Sequence, residues 1–155
     1  MTEWKPHITV AAVIEQDGRF LLVEENAEGR IVLNQPAGHL EEGETLFEAV
    51  VRETLEESGR HFQPEAVVGV YGWTSPETGI SYLRFAFSGS CSERDPTHQL
   101  DEGIITTHWL SRDQLLAQSE RLRSPLVMRA IDDHLAGRRC SLDLLHMLHD
   151  ESIKA

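Results

Sequence analysis

The feature that most constrains this chain is a helix whose two ends are written into residues 45 to 59. Thr45 followed three positions later by Glu48 is a capping box: the hydroxyl accepts from the N–H of Glu48, and that carboxylate returns to the N–H of Thr45. Gly59 is the left-handed residue that commonly closes a helix, which places the element over roughly 46 to 58. At about 100° per residue, Leu46, Phe47, Val50, Val51 and Leu55 share one broad side, while Glu53, Glu56 and Glu57 fall in an arc of about 100° on its edge. One side packs into a core and the adjoining edge presents three carboxylates.

Like charges at these spacings each cost a helix roughly 0.2–0.5 kcal/mol, and partial burial raises their pKa values unless a cation is present. Arg52 is adjacent and can orient or neutralise one carboxylate, but one guanidinium does not balance three. A hard divalent cation (Mg²⁺, Mn²⁺ or Ca²⁺) suits an oxygen-only set. An acidic helix face is most often merely solvated, so spacing alone leaves both readings open.

Around this helix the chain reads as strands. "HITVAAVI" (7 to 14) and "RFLLVEE" (19 to 25), separated by the turn signal "EQDG", predict a β-hairpin, and "RIVLN" a further short strand. Residues 36 to 43, with a proline and two glycines and no periodicity, predict a loop. After Gln63-Pro64, "VVGVYGW" (67 to 73), "ISYLRFAFSG" (80 to 89) and "IITTHWL" (104 to 110) predict three more strands. Two helices follow, "SRDQLLAQ" with Ser111 as cap and "SPLVMRAIDDHLAG" with Ser124 as cap, Pro125 in the first turn and Gly137 at the end. The pattern predicts the α/β or α+β class, a mixed β-sheet covered by helices, as a single domain over 1–155.

Composition narrows the function. A formal net charge of −12 opposes passive attraction to nucleic acid, so a phosphate-bearing substrate needs cations recruited to the site. No segment approaches the roughly 20 apolar residues of a spanning helix, and "MTEWKPH" lacks the regions of a signal peptide, so no membrane partner and a cytoplasmic location are expected. Cys91 and Cys140 lack metal or redox spacing and read as free thiols. His108, His134, His146 and His149 lack ligand spacing and read as ordinary histidines.

Gly38, five residues, Glu44, seven residues, Arg52-Glu53, two residues, Glu56-Glu57, one residue and Gly59 resemble the box of the Nudix hydrolases. The resemblance covers most of the chain and implies a Nudix-type α/β/α sandwich around a mixed β-sheet. It implies Glu53, Glu56 and Glu57 as ligands of Mg²⁺ or Mn²⁺, joined by the carbonyl of Gly38. Arg52 then positions the glutamates, and Glu44 supports the loop and helix from outside. The general base is a glutamate of the box, such as Glu53, or one on a later loop, for which Glu102, beside Asp101, is the candidate and a further potential metal ligand. Two positions depart from the box, where the family prefers bulky aliphatic residues. Thr54 can pack its methyl while its hydroxyl bonds the carbonyl of Val50, and Phe62 can fill the slot that Arg60 leaves.

"NQPAGHLE", "SYLRFAF" and "LRSPLV" resemble one branch of that family, phosphatases acting on nucleoside tri- and diphosphates and on the thiamin pyrimidine precursor diphosphate with release of orthophosphate. Strand alternation puts Tyr82 and Arg84 on one face and Leu83, Phe85 and Phe87 on the other. Arg84 and Arg123 are candidates for phosphate, Trp73 for stacking on a base, and Gln35 and His39, flanking the Pro-Ala-Gly turn, for polar contacts. The partner expected is a small phosphorylated molecule, bound by a monomer or weak homo-oligomer. The rivals are an ADP-ribose or ADP-sugar pyrophosphatase, disfavoured by a first strand that begins by residue 7, and a nucleotide-binding module that does not cleave, disfavoured by an undamaged box. An RNA pyrophosphohydrolase is weakened by the net charge.

Overall fold

A computed structural model describes residues 3–148; His149 lies outside them. The strands are β1 (His7–Val13), β2 (Glu15–Gln16), β3 (Arg19–Ala27), β4 (Arg30–Asn34), β5 (Ala37–His39), β6 (Phe62–Thr74), β7 (Ser81–Cys91) and β8 (Ile104–Ser111). The helices are α1 (Leu46–Ser58), α2 (Arg112–Leu116) and α3 (Leu126–Leu135). Two four-stranded sheets form. One, in the order β5-β1-β7-β6, is mixed, because β1 and β7 run parallel while β5 and β6 pair antiparallel. The other joins β2, β3 and β4 with β8 on β3 and is antiparallel throughout.

The expected hairpin between residues 7 to 14 and 19 to 25 does not form. Only Glu15–Gln16 pairs with Arg19–Phe20, around Asp17 and Gly18, and the chain then passes from one sheet to the other. The reason is burial: Val10 to Ile14 and Phe20 to Val23 are buried without alternation, so each run is a central strand that needs cover on both faces. The turn forms at Asp17 and Gly18, while β1 and β3 take their main partners from β7 and β8. Within the expected loop of residues 36 to 43, Ala37–His39 forms β5, too short for periodicity to reveal. β6 begins at Phe62, and Pro64 is tolerated because β6 is an edge strand and its register shifts there.

Two cores give the sandwich its layers. On one side Val10, Ile14, Leu21, Phe62, Val67 and Phe87 pack under Leu46, Ala49 and Val50 of α1. On the other, Val13, Phe20, Leu22, Val68 and Ala86 pack under Leu115, Val127, Ala130 and Ile131 of the C-terminal helices. The architecture is thus mixed α and β in three layers. Pro125 is the N-cap of α3 and not a residue of its first turn, so that helix begins one residue later than its cap signals suggest; Ser124 Oγ accepts from the N–H of Leu126, and Gly137 takes a left-handed φ after the helix.

The ends of α1 are those the sequence predicts. Thr45 and Glu48 form the reciprocal cap, and Gly59 (φ 71°) closes the helix with its N–H on the carbonyl of Leu55. Its buried stripe is rotated from the expected one, to Leu46, Ala49, Val50, Thr54, Glu57 and Ser58, with Phe47, Val51 and Leu55 at the margins. Small side chains at 49, 54 and 58 let the helix lie close to the sheet. Thr54 Oγ1 donates to the carbonyl of Val50 at 2.7 Å, Phe62 fills the apolar slot at 5% exposure, and Arg60 lies over the Trp109 ring. The rotation carries Glu57 into the interior.

Candidate active site

The acidic edge of α1 faces β5 and the loop before β8. Glu53 and Glu56 come together with Asp101 so that one carboxylate oxygen from each lies within 4.8 Å of the others. The loop is tied to the helix: the N–H of Asp101 donates to the carbonyl of Glu56 at 2.9 Å. Glu102, the neighbour singled out from the sequence, is exposed and stands outside this triplet. Glu57 also stands outside it and accepts from the N–H of Ala37 on β5 at 2.8 Å. Gly38 lies directly against the Glu53 carboxylate, where a Cβ would overlap it.

Arg52 gathers this region. Its guanidinium grips Glu44 through two bonds (3.0 and 2.7 Å), reaches Glu53 at 2.8 Å and Glu56 at 3.2 Å, and donates to the carbonyl of His39 at 3.0 Å. Glu44 also accepts from the N–H of Glu41, so it braces loop and helix. The charges still do not balance. Burial pushes Glu53 up to about 7 despite Arg52, with Glu56 and Asp101 adding repulsion. Burial pushes Glu57 up to about 9, with Glu25, Glu53 and Asp101 adding to it. Carboxylates held dry and close in this way are competent ligands for a hard divalent cation, which would restore their charged forms.

Beside the acids lies a cavity of about 510 Å³ whose walls include Gly38, His39, Trp73, Tyr82, Arg84 and Arg123. Trp73 and Tyr82, paired across β6 and β7, stack with ring centroids 5.9 Å apart at 21°. Arg84 is 7% exposed, and burial lowers it to about 10. Among the described residues its Nη1 has only long contacts, to the side-chain oxygens of Asn34 (3.4 Å) and Gln35 (3.5 Å). Arg123 pairs with Glu25 at 2.6 Å. His39 meets His7 at 2.9 Å, and burial holds its pKa down. Gln35 does not line the cavity; its Nε2 donates to the carbonyl of Val127, which fixes it behind Arg84.

Apart from Glu102 and Gln35, the candidates thus fall along one acidic edge and one adjoining cavity. Glu25, which follows Glu24 at the polar end of β3, and Thr9, within the apolar run of β1, also line the cavity, and neither carries a local sequence signal. His108 and His134 are engaged by Glu24 and Glu15, in keeping with ordinary roles.

A three-layer sandwich that sets clustered helix carboxylates beside such a cavity defines a class of phosphohydrolase. Residues 5–130 match the model of the NUDIX domain, and the chain belongs to the Nudix family. The phosphatase NudJ of Escherichia coli strain K12 is 41% identical over 142 residues, 92% of each chain, and that of Shigella flexneri matches to the same extent. A solved NUDIX hydrolase from Nitrosomonas europaea is 51% identical with a TM-score of 0.91, covering 93% of this chain and 98% of its own. A MutT NUDIX hydrolase of Burkholderia pseudomallei shares the fold at 21% identity, with a TM-score of 0.71 over 83% of this chain and 98% of that one. The chain is accordingly a Nudix phosphohydrolase with NudJ-like character. Nudix hydrolases in general use divalent metals, and the acidic triplet supplies a place for one.

Proposed function

We propose that this enzyme hydrolyses nucleoside tri- and diphosphates and the thiamin pyrimidine precursor diphosphate to the monophosphate, releasing one orthophosphate for each phosphoanhydride cleaved. The observation that carries the reading is adjacency: the cavity with its buried arginine and stacked aromatic pair shares Gly38 with the acidic edge. Its volume suits a small molecule. The E. coli relative is a phosphatase, which agrees with release of a terminal phosphate.

In this reading Glu53, Glu56, Glu57 and the carbonyl of Gly38 hold Mg²⁺ or Mn²⁺, with Asp101 the loop acid closest to them. The cation supplies positive charge against the phosphoanhydride and makes water more acidic. Arg52 holds the glutamates in place. Asp101, rather than Glu102, then accepts the proton on the loop side, a role supported by its nearness to Glu53 and Glu56. Arg84 and Arg123 meet phosphate oxygens, Trp73 and Tyr82 receive the ring, His39 borders the mouth, and Gln35 acts through Arg84. The protein works as a single domain in the cytoplasm, as a monomer or weak homo-oligomer, without nucleic acid or membrane.

The test is a panel of phosphorylated compounds assayed with Mg²⁺, with Mn²⁺ and with chelator, products being identified. Orthophosphate with a monophosphate, lost under chelation, is expected. Pyrophosphate release, or cleavage of ADP-ribose in preference to all small nucleotides, would transfer the enzyme to another branch. Binding without turnover under every metal would make it a sensor.

A further inference from the structure

We propose that Thr9 and Arg84 form the seat of the phosphate that stays on the product, the one bonded to the nucleoside or pyrimidine carbon. The inference rests on the phosphoanhydride reading above and assigns the two phosphates to different places in the site.

Two unpaired polar groups carry it. Thr9 on β1 and Arg84 on β7 are direct partners in the parallel ladder, and both line the cavity. Thr9 is 5% exposed and Arg84 7%, and among the described residues neither Thr9 Oγ1 nor Arg84 Nε, both buried, has a hydrogen-bond partner. An orphaned donor costs a fold stability unless something else answers it, and here two stand side by side. The charged groups that act on Arg84 do not answer it. Arg123 repels it, Glu25 is engaged by Arg123, Glu57 bonds the N–H of Ala37, and neither carboxylate makes a hydrogen bond to the guanidinium. Its contacts to Asn34 and Gln35, at 3.4–3.5 Å, are tethers that an anion can displace. A hydroxyl beside a guanidinium, walled from water, suits a phosphate oxygen.

Position along the sheet says which phosphate. Reading inward, the first row is His7, Tyr82 and Trp73, the aromatic end. Two residues on, about 6.6 Å at the usual rise, come Thr9 and Arg84. Two further on, Ala11 pairs with Ala37, whose N–H holds Glu57. The order is ring platform, then anion seat, then glutamates. A diphosphate laid along it puts the phosphate nearest the ring on Thr9 and Arg84 and its terminal phosphate against the acids. The seat therefore retains the monophosphate and lets orthophosphate go.

The experiment is a calorimetric titration in EDTA, where no turnover occurs, of cytidine and adenosine 5′-monophosphates, the two parent nucleosides and inorganic phosphate. Wild type is compared with Thr9→Val, which exchanges the hydroxyl for a methyl of similar size, and with Arg84→Gln and Arg84→Lys. At least one monophosphate should bind wild type about tenfold more tightly than its nucleoside, and Thr9→Val and Arg84→Gln should each erase about that factor while nucleoside affinity stays the same. Arg84→Lys should recover part of it. Equal affinity of wild type for monophosphate and nucleoside, or a parallel loss of both in Thr9→Val, would overturn the seat. So would variants that weaken inorganic phosphate alone, which would place the leaving group there. Because the readout is binding, an enzyme that binds monophosphates in this way yet cleaves no phosphoanhydride would refute the proposed activity and leave the seat standing.

Discussion

Gly38 lies against Glu53 so closely that a Cβ at position 38 would overlap all three atoms of the carboxyl group. The glycine is required by the approach of β5 to α1. Gly38→Ala should push the Glu53 carboxylate out of line with Glu56 and Asp101. A displacement of about 1 Å in a catalytic constellation costs on the order of 100-fold, so kcat/KM should fall by about that much. The Mg²⁺ needed for half-maximal rate should rise as well, while the overpacking lowers stability by about 1–3 kcal/mol. Phosphate release across a Mg²⁺ series, with a thermal melt alongside, measures both. Unaltered metal dependence would show that Glu53 can turn away without loss.

Arg52 bonds four oxygen-bearing groups at once, which a planar fork can do and an ammonium cannot. Arg52→Lys should therefore lose the paired grip on Glu44 and most of the hold on Glu53 and Glu56. Stability should fall by about 1–3 kcal/mol, and kcat/KM by about tenfold or more. Denaturant unfolding together with steady-state kinetics separates the two effects. A variant with normal kinetics and reduced stability would confine Arg52 to bracing the fold.

Much of this was legible beforehand, for a physical reason that also sets its limit. The capping box, Gly59 and the acids of α1 interact over three or four residues, so local sequence encodes them. The partners of β1 lie about thirty and seventy-five residues away on β5 and β7, and nothing in "HITVAAVI" names them. The same distinction runs through the site. Glu53 and Glu56 were readable from helix spacing, whereas Asp101 joins them only because its loop is pinned to the carbonyl of Glu56. Gln35 stands outside the cavity lining, and its hydrogen-bond partners across the fold, Val127 and Arg84, leave no trace in the local sequence.

Stability of the metal-free protein should depend on pH through Glu57. Its folded value is raised, from about 4.5 to about 9, mainly by burial. The stability this group contributes is complete below the unfolded value and is lost as pH rises through the folded one. In EDTA the melting temperature should therefore drop between about pH 7 and about pH 9.5, a range above the titration of His39 and His134, whose values are lowered. Mg²⁺ favours the charged carboxylate, so it should flatten the slope and widen the gap from the chelated protein at high pH. Glu57→Gln retains an oxygen for the N–H of Ala37 but cannot ionise. It should melt with a shallower slope in EDTA, gain less from Mg²⁺ and lose turnover. A wild-type slope in that variant would remove Glu57 from the metal platform.

Trp73→Ala should act on the ring and not on the chemistry. The indole lines the cavity and stacks on Tyr82, at the aromatic end of the sheet. Loss of one stacking face should raise KM about tenfold for nucleotides, with kcat changed far less. The measurement is a pair of Michaelis curves on one purine and one pyrimidine diphosphate. Unchanged KM on both would end the stacking role.

The two loop acids provide the sharpest contrast, because they are adjacent in sequence and differ in placement. Asp101 has a carboxylate oxygen within 4.8 Å of both Glu53 and Glu56, and its N–H anchors the loop to α1; both loop acids are exposed, but Glu102 stands outside that group. Asp101→Asn keeps size and backbone anchor but removes the charge, so it isolates what the carboxylate does. If Asp101 accepts a proton during the reaction, kcat should fall by about 10²- to 10⁴-fold, and the acid limb of the pH profile should move or vanish. If it only holds the cation, the Mg²⁺ requirement should rise and higher Mg²⁺ should restore most of the rate. Glu102→Gln should cost less than Asp101→Asn in either case. The reverse order, with Glu102→Gln the more damaging, would show that the loop turns in the substrate complex to bring Glu102 inward, and would return the proton-accepting role to that residue.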